Sequence, residues 1–268
     1  MQRVPSADTQ QPSDSEPAEP RDTESRLRAE SGSEANAHQR DTQAQKRGLR
    51  AEHRRKRSEC APAVGSESAQ QAGEGLWAQL ADAVDWSQVG CAALYAAVGH
   101  ELDTEPLRKQ LSVRGVRTCY PRIVCERPPE LAFHAVVDPA ELAPARFGLY
   151  EPQATATPVL PTEIDVFIVP GLAFDLAGRR LGQGRGYYDA CLQSQPDALR
   201  VGICHPWQQI SAVPSEPHDE RMDLLATPLA CLATGSRTRH RLQRLSTPPA
   251  SRDTTVAGTV RQPTESKP

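Results

Sequence analysis

Between Val89 and Ala226 the chain alternates short apolar runs with polar, helix-forming stretches. The runs cover residues 89–98, 116–124, 131–137, 164–169, 199–204 and 222–226. Each is short and bounded by turn residues, so each predicts a strand. Helices are predicted over residues 105–113, behind an Asp103-Thr104 cap, and over residues 186–193. Strands alternating with helices predict a single α/β domain built on a largely parallel sheet. The clearest strand is 164–169, a continuous apolar run with one acid near its start, the pattern of a strand buried on both faces.

Upstream, Thr42 and Gln45 have the spacing of a capping box and predict that a helix starts near Thr42. Residues 46–57 continue it as Pro-free helix formers, placing Lys46, Arg50 and Arg54 on one face at four-residue steps. Three stacked cations repel one another unless water screens them or an anion sits beside them. Taken alone, the pattern reads first as a solvated basic helix, or as a nuclear-localisation-like cluster at residues 54–57.

Composition limits how far the folded part extends. With 24 Pro, 4% aromatic residues and a mean hydropathy of -0.57, the 268 residues are poorly equipped for a core along their whole length. Residues 1–42 hold almost no large apolar side chain, and residues 235–268 repeat the pattern with Ser, Thr, Arg and Pro. Such stretches cannot bury enough surface to offset the entropy of ordering them. The expected organisation is therefore a disordered tail over 1–42, one folded domain over 43–234 and a second disordered tail over 235–268. No apolar run approaches a membrane span and no secretory signal is evident. The acids of the N-terminal tail, among them Asp8, Asp14 and Glu16, argue against a transit peptide, which predicts a soluble, cytoplasmic protein with no membrane partner. A net charge of -3 speaks against a nucleic-acid partner. The seven cysteines are scattered without a Cys-x-x-Cys pair, as expected of reduced, mostly buried thiols.

The candidate chemistry follows the 164–169 strand. The chain there reads Pro170-Gly171-Leu172-Ala173-Phe174-Asp175, then Gly178, then Arg180-Leu181-Gly182-Gln183-Gly184-Arg185-Gly186-Tyr187-Tyr188-Asp189. Glycines at alternate positions let backbone N–H groups converge on an anion, and a helix opening at Tyr187 adds its dipole. Arg180 and Arg185 supply charge for a phosphate. A Gly-x-Gly-x-Gly segment is also what a tight surface turn looks like. It is neither the dinucleotide fingerprint nor a Walker loop.

Residues 169–175, Gly178 and 180–189 together resemble the signature of the 5-formyltetrahydrofolate cyclo-ligase (methenyltetrahydrofolate synthetase) family. The resemblance continues in order along the domain through residues 46–50, Tyr95, Glu101 and Thr104, Pro121 at a strand end, Glu151-Pro152, and Pro214 with His218-Asp219. It implies the three-layer fold shared with sugar-phosphate isomerases and coenzyme A transferases. It also implies an ATP-dependent ring closure of 5-formyltetrahydrofolate to 5,10-methenyltetrahydrofolate, with ADP and phosphate released and Mg²⁺ required. Phosphorylating the formyl oxygen creates an iminium phosphate that the neighbouring nitrogen attacks. Such a step depends on positioning and charge neutralisation more than on a protein nucleophile.

Under this resemblance Lys46, Arg47, Gly48, Leu49 and Arg50 bind ATP from one side. Arg180, Leu181, Gly182, Gln183, Gly184, Arg185, Gly186, Tyr187 and Tyr188 bind it from the other. Glu101 and Gln183 to Tyr187 contact the folate, Arg185 and Tyr187 serve the reaction, and Asp189 and Asp219 hold Mg²⁺. Arg185 stands where many members carry Lys, trading a point charge for a planar fork. The substrates are small molecules and the protein is expected to be a monomer. His218 is expected to be structural or solvent-exposed. The rival readings are a non-catalytic folate- or nucleotide-binding relative, and an isomerase- or transferase-like enzyme that uses the loop for phosphate without ATP.

Overall fold

All six predicted strands form, and they share one sheet. The computed structural model describes residues 21–245. The helices are α1 (Arg21–Cys60), α2 (Glu67–Ala83), α3 (Glu105–Val113), α4 (Tyr187–Gln193) and α5 (Ser236–Leu245). The strands are β1 (Cys91–Ala93), β2 (Arg117–Glu126), β3 (Pro129–Ala135), β4 (Leu142–Pro144), β5 (Tyr150–Pro152), β6 (Pro158–Val159), β7 (Val166–Val169), β8 (Ala173–Phe174), β9 (Arg180–Leu181), β10 (Leu199–Ile203), β11 (Leu224–Ala226) and β12 (Cys231–Ala233). The chain divides into two units, Met1–Ala44 and Gln45–Pro268, and the sheet belongs entirely to the second.

The main sheet has the order β12-β11-β10-β7-β1-β2-β3-β6. Its five central strands, from β11 to β2, pair in parallel, and antiparallel strands close both edges. Alternation along β7 explains the two faces. Val166 and Ile168 join Leu76 and Leu80 of α2 and Leu107 and Leu111 of α3 in one core. Phe167 and Val169 turn the other way, into a core with Phe133 and Leu192 of α4. A strand buried on both faces is thus apolar at every position, as its sequence predicts.

Helix α2 escapes the apolar pattern because its buried stripe is largely small, with Ala69 and Gly73 beside Leu76 and Leu80. Gly73 is required there: a Cβ would lie 2.7 Å from Pro106 Cγ and 2.9 Å from the Asp103 carbonyl oxygen, so only glycine lets α2 approach α3. The predicted cap of α3 is shared differently. Asp103 accepts the Glu105 N–H at 2.9 Å, whereas the Thr104 hydroxyl donates to the Tyr95 carbonyl.

Three expectations change. The helix predicted to start near Thr42 starts at Arg21, so Thr42 lies inside α1. Residues 21–42 hold several Arg, Glu and Ala, which favour helix without needing a core. The stretch from residue 236, expected as tail, forms α5. Its Thr238 and Arg241 are buried, and Arg241 pairs with the buried Asp223 and donates to the Pro196 carbonyl. The remaining tail residues, 1–20 and 246–268, lie outside the described residues. Pro121 sits within β2, opposite Phe133, and not at a strand end. Strand β1 pairs with β2 only as far as Cys119, so beyond it one edge of β2 has no ladder to break.

The order of the strands marks one place for a ligand. From β1 the chain crosses through α3 to β2 on one side, then returns to β7 on the other and proceeds outward to β10 and β11. The crevice beyond the carboxyl ends of β1 and β7 is therefore the topological switch point, where open α/β sheets bind ligands. Among the described residues no helix is long and apolar enough to cross a membrane.

Candidate functional site

The segment leaving β7 folds into the short hairpin of β8 and β9, which carries the glycine loop back to the switch point. Leu172, Ala173 and Leu181 anchor this hairpin in a small apolar cluster with Val213, and Leu49 of α1 packs against it. Leu49 and Leu181, both expected in the ATP site, are thus packing residues whose side chains point into protein. Asp175 fixes the hairpin turn by accepting the N–H groups of Ala177 and Arg179, and its second oxygen accepts the Val213 N–H.

The basic face of α1 lies along the loop. Arg50 Nε donates to the Gly182 carbonyl at 3.0 Å, and Arg54 donates to both the carbonyl and the side-chain oxygen of Gln183. Lys46 is buried and reaches Asp219 Oδ2 at 2.6 Å and Glu216 Oε2 at 2.8 Å. Burial first, and then the neighbouring Arg54 cation, lower the pKa of Arg50. Two acids relieve the stacked charge at the Lys46 end, and loop oxygens at the other. Arg47 and Gly48, on the opposite side of the helix, are exposed.

Two glycines of the loop are there for space and for backbone conformation. At Gly182 a Cβ would fall 2.5 Å from Arg180 Nη1, so the absence of a side chain lets that guanidinium fold under the loop. Gly184 has φ +95°, and its bare Cα faces the Arg50 guanidinium. Arg180 is itself largely buried. Its Nη2 reaches both oxygens of Asp189 at 3.0 Å, while its buried Nε has no partner among the described residues. Asp189 also accepts the Glu220 N–H, at 3.2 Å, which ties the start of α4 to the segment carrying Asp219.

The two magnesium acids expected from sequence therefore lie on neighbouring segments, each charge-paired with a different cation. Glu216, His218 and Asp219 have ligand atoms within 4.8 Å of one another, and His218 is exposed as expected. Glu216 had escaped notice, although its place three residues before Asp219 was the available signal. Arg185 is half-exposed, with its guanidinium 3.5 Å from the Phe147 ring centroid and 4.0 Å from Glu126. Tyr187 is half-buried at the start of α4, and Arg180 lies over the ring of Tyr188.

On the β1 side, the Tyr95 hydroxyl donates to the Leu102 carbonyl at 2.8 Å, which closes the loop that presents Glu101. Glu101 pairs with Arg57, the next α1 residue on the site face, at 3.0 Å and accepts the Val98 N–H. Burial raises its pKa while Arg57 opposes the rise. Sequence reasoning had not placed Arg57, His53 or His205 here. His53 follows Arg50 by three residues on the same helix face, which was the missed signal. The seven thiols are free, three of them buried and three half-buried.

A glycine loop braced by cations at the switch point of an open sheet, with acids beside it, places the chain among the α/β proteins whose ligand crevice lies beyond the carboxyl ends of the strands. The comparisons agree. The sequence model of the 5-formyltetrahydrofolate cyclo-ligase family matches residues 42–228. Among curated relatives, 5-formyltetrahydrofolate cyclo-ligase of Escherichia coli (strain K12) is 35% identical over 143 residues, 51% of this chain and 76% of the relative. The Haemophilus influenzae enzyme of the same name is 28% identical over 152 residues, 56% of this chain and 81% of the relative. The NMR structure of Aquifex aeolicus 5,10-methenyltetrahydrofolate synthetase superposes with a TM-score of 0.60 at 28% identity, covering 71% of this chain and 93% of that one. A Mycoplasma pneumoniae 5,10-methenyltetrahydrofolate synthetase structure shares the fold, with a TM-score of 0.54 at 21% identity over 68% of this chain and 98% of that one. The chain belongs to the 5-formyltetrahydrofolate cyclo-ligase family.

Proposed function

We propose that the protein closes 5-formyltetrahydrofolate to 5,10-methenyltetrahydrofolate at the expense of ATP, releasing ADP and phosphate. The observation that carries this reading is the loop of residues 182–186, held between α1 and α4 by Arg50 and Arg54 at the carboxyl end of the sheet. The free N–H groups of such a loop, with Arg180 beneath it, suit the phosphates of ATP. Arg185 is free to swing from Phe147 onto the transferred phosphoryl group, because nothing buried holds it. Glu101 and Tyr187, from opposite sides of the crevice, orient the folate. The driving force for ring closure then comes from converting the formyl oxygen into a phosphate leaving group, and the protein supplies alignment and positive charge.

The acids suit a hard divalent cation. Asp219 keeps Oδ1 free of Lys46, and Asp189 adds carboxylate oxygens on the adjoining segment, the oxygen-donor set that Mg²⁺ prefers. Asp189 and Asp219 would hold it, and it would neutralise phosphate charge when bound. Arg180 and Lys46 occupy these acids meanwhile, which keeps two half-buried carboxylates from standing unpaired. The same reading makes residues 43–234 the catalytic domain with α5 as its support. It also makes the protein a cytoplasmic monomer that acts on small molecules.

The test is stoichiometric. ADP should form only when 5-formyltetrahydrofolate and a divalent cation are both present, one ADP per folate consumed. ADP formation independent of the folate would contradict the reading.

A further inference from the structure

Behind the phosphate loop, α1 and the turn after β10 bring three flat rings together. Trp207, half-exposed, lies with its ring 6.0 Å from that of His205 and 6.3 Å from that of His53, at interplanar angles of 7° and 19°. Lys56 Nζ stands 5.5 Å from the Trp207 ring centroid, and among the described residues it pairs with no carboxylate. His53 and His205 are 3% and 6% exposed, and among the described residues the Nδ1 of the first and the Nε2 of the second are buried without a partner. Orphaned ring nitrogens beside a half-open indole are costly unless something else completes the site.

The turn is rigidly placed. Gln208 accepts the His205 N–H and donates to the carbonyls of Gly171 and Leu172, the segment leaving β7. Lys56 is followed by Arg57, which holds Glu101 on the folate side of the crevice. The cations that brace the phosphate loop, Arg50 and Arg54, interleave with His53 and Lys56 along α1 but reach the loop carbonyls of Gly182 and Gln183 instead.

We infer that Trp207 and Lys56, backed by His53 and His205, form the subsite for the aminobenzoyl-glutamate arm of the folate. The inference rests on the cyclo-ligase reading above. The arm is a flat ring joined through an amide to a carboxylate, which matches an indole face, unpartnered ring nitrogens and an unpaired ammonium group. Adenine offers a flat ring but no negative charge for Lys56.

The experiment uses the full-length chain and its Trp207→Ala, Trp207→Phe and Lys56→Gln variants, with KM measured separately for 5-formyltetrahydrofolate and ATP. Trp207→Ala should raise the folate KM about tenfold with kcat and the ATP KM unchanged, the signature of lost ground-state binding. Trp207→Phe should recover most of that loss, and Lys56→Gln should raise the folate KM several-fold. Should Trp207→Ala not fold, the fluorescence of the wild type decides: p-aminobenzoyl-glutamate alone should quench it, and the quenching should vanish in Trp207→Phe, which retains Trp77 and Trp86. A rise in the ATP KM instead would assign the rings to adenine and overturn the inference. So would an unchanged folate KM in folded Trp207→Ala, or quenching that persists in Trp207→Phe. A wild type that converts no 5-formyltetrahydrofolate fails the cyclo-ligase reading itself, a separate result.

Discussion

At Asp189 two roles meet in one side chain. It neutralises the buried Arg180 and, in the proposed site, holds the metal. Alanine would remove both, leaving a buried cation unpaired, so loss of activity in that variant would not distinguish chemistry from folding. Asparagine keeps the shape and one acceptor for Arg180 while removing the charge. Asp189→Asn should lower kcat about 100-fold and raise the magnesium concentration needed for half-maximal rate, with a small change in melting temperature. Unchanged metal dependence in kinetic titrations would take Asp189 out of the metal site. Arg185 was legible as a departure from the commoner lysine. Its resting place over Phe147 was not, because the two residues are 38 positions apart and meet only through folding.

Among the elements, the glycine loop gives the sharpest test of α1 as half of the site. Gly184 combines φ +95° with the Arg50 guanidinium 3.2 Å from where a Cβ would stand. Gly184→Ala should therefore displace Arg50 and raise the ATP KM about tenfold, while strain at positive φ costs about 1 kcal/mol of stability. Equal ATP KM values for variant and wild type would show that Arg50 does not brace the loop. Helix α5 makes the opposite prediction, on stability alone. Arg241 and Asp223 are both nearly inaccessible, so Arg241→Ala should cost about 3–5 kcal/mol in chemical denaturation and leave the substrate KM values unchanged. A loss near zero would mean that α5 does not support the sheet.

The six strands could be read because continuous apolar runs bounded by turn residues are what a doubly covered sheet demands. Strands of two or three residues such as β8, β9 and β12 carry too few positions to show a period. Helix α5 was missed because Arg and Thr fill its buried positions, and their burial depends on Asp223 far away in sequence. In the site, the loop and the cations of α1 were legible from spacing and resemblance. The ring cluster was not, since His53 and Trp207 lie on separate elements whose meeting no local pattern encodes.

For the whole molecule, the buried histidines make stability depend on pH. Burial holds both His53 and His205 below the ordinary 6.5. The unfolded chain then binds protons at a higher pH than the folded chain does. The stability they contribute is complete above about pH 6.5 and is lost as the pH falls through that value toward the folded ones. Glu101 works the other way: its raised pKa means that acidification relieves a strained carboxylate. The melting temperature should therefore drop from pH 7 to pH 5, and a His53→Gln, His205→Gln double variant should drop less. Parallel slopes for the two proteins would place the acid sensitivity elsewhere.

The family, the switch-point crevice and the cation-braced loop all lead to one reaction, and it has a direct optical readout. Purified full-length protein is mixed with 5-formyltetrahydrofolate and Mg²⁺, and the near-ultraviolet absorption of the methenyl product is followed before and after ATP is added. The absorption should stay flat before ATP and rise steadily after it, and the rise should be abolished by Asp189→Asn at low magnesium. No rise with ATP, or the same rise without it, would contradict the proposed reaction.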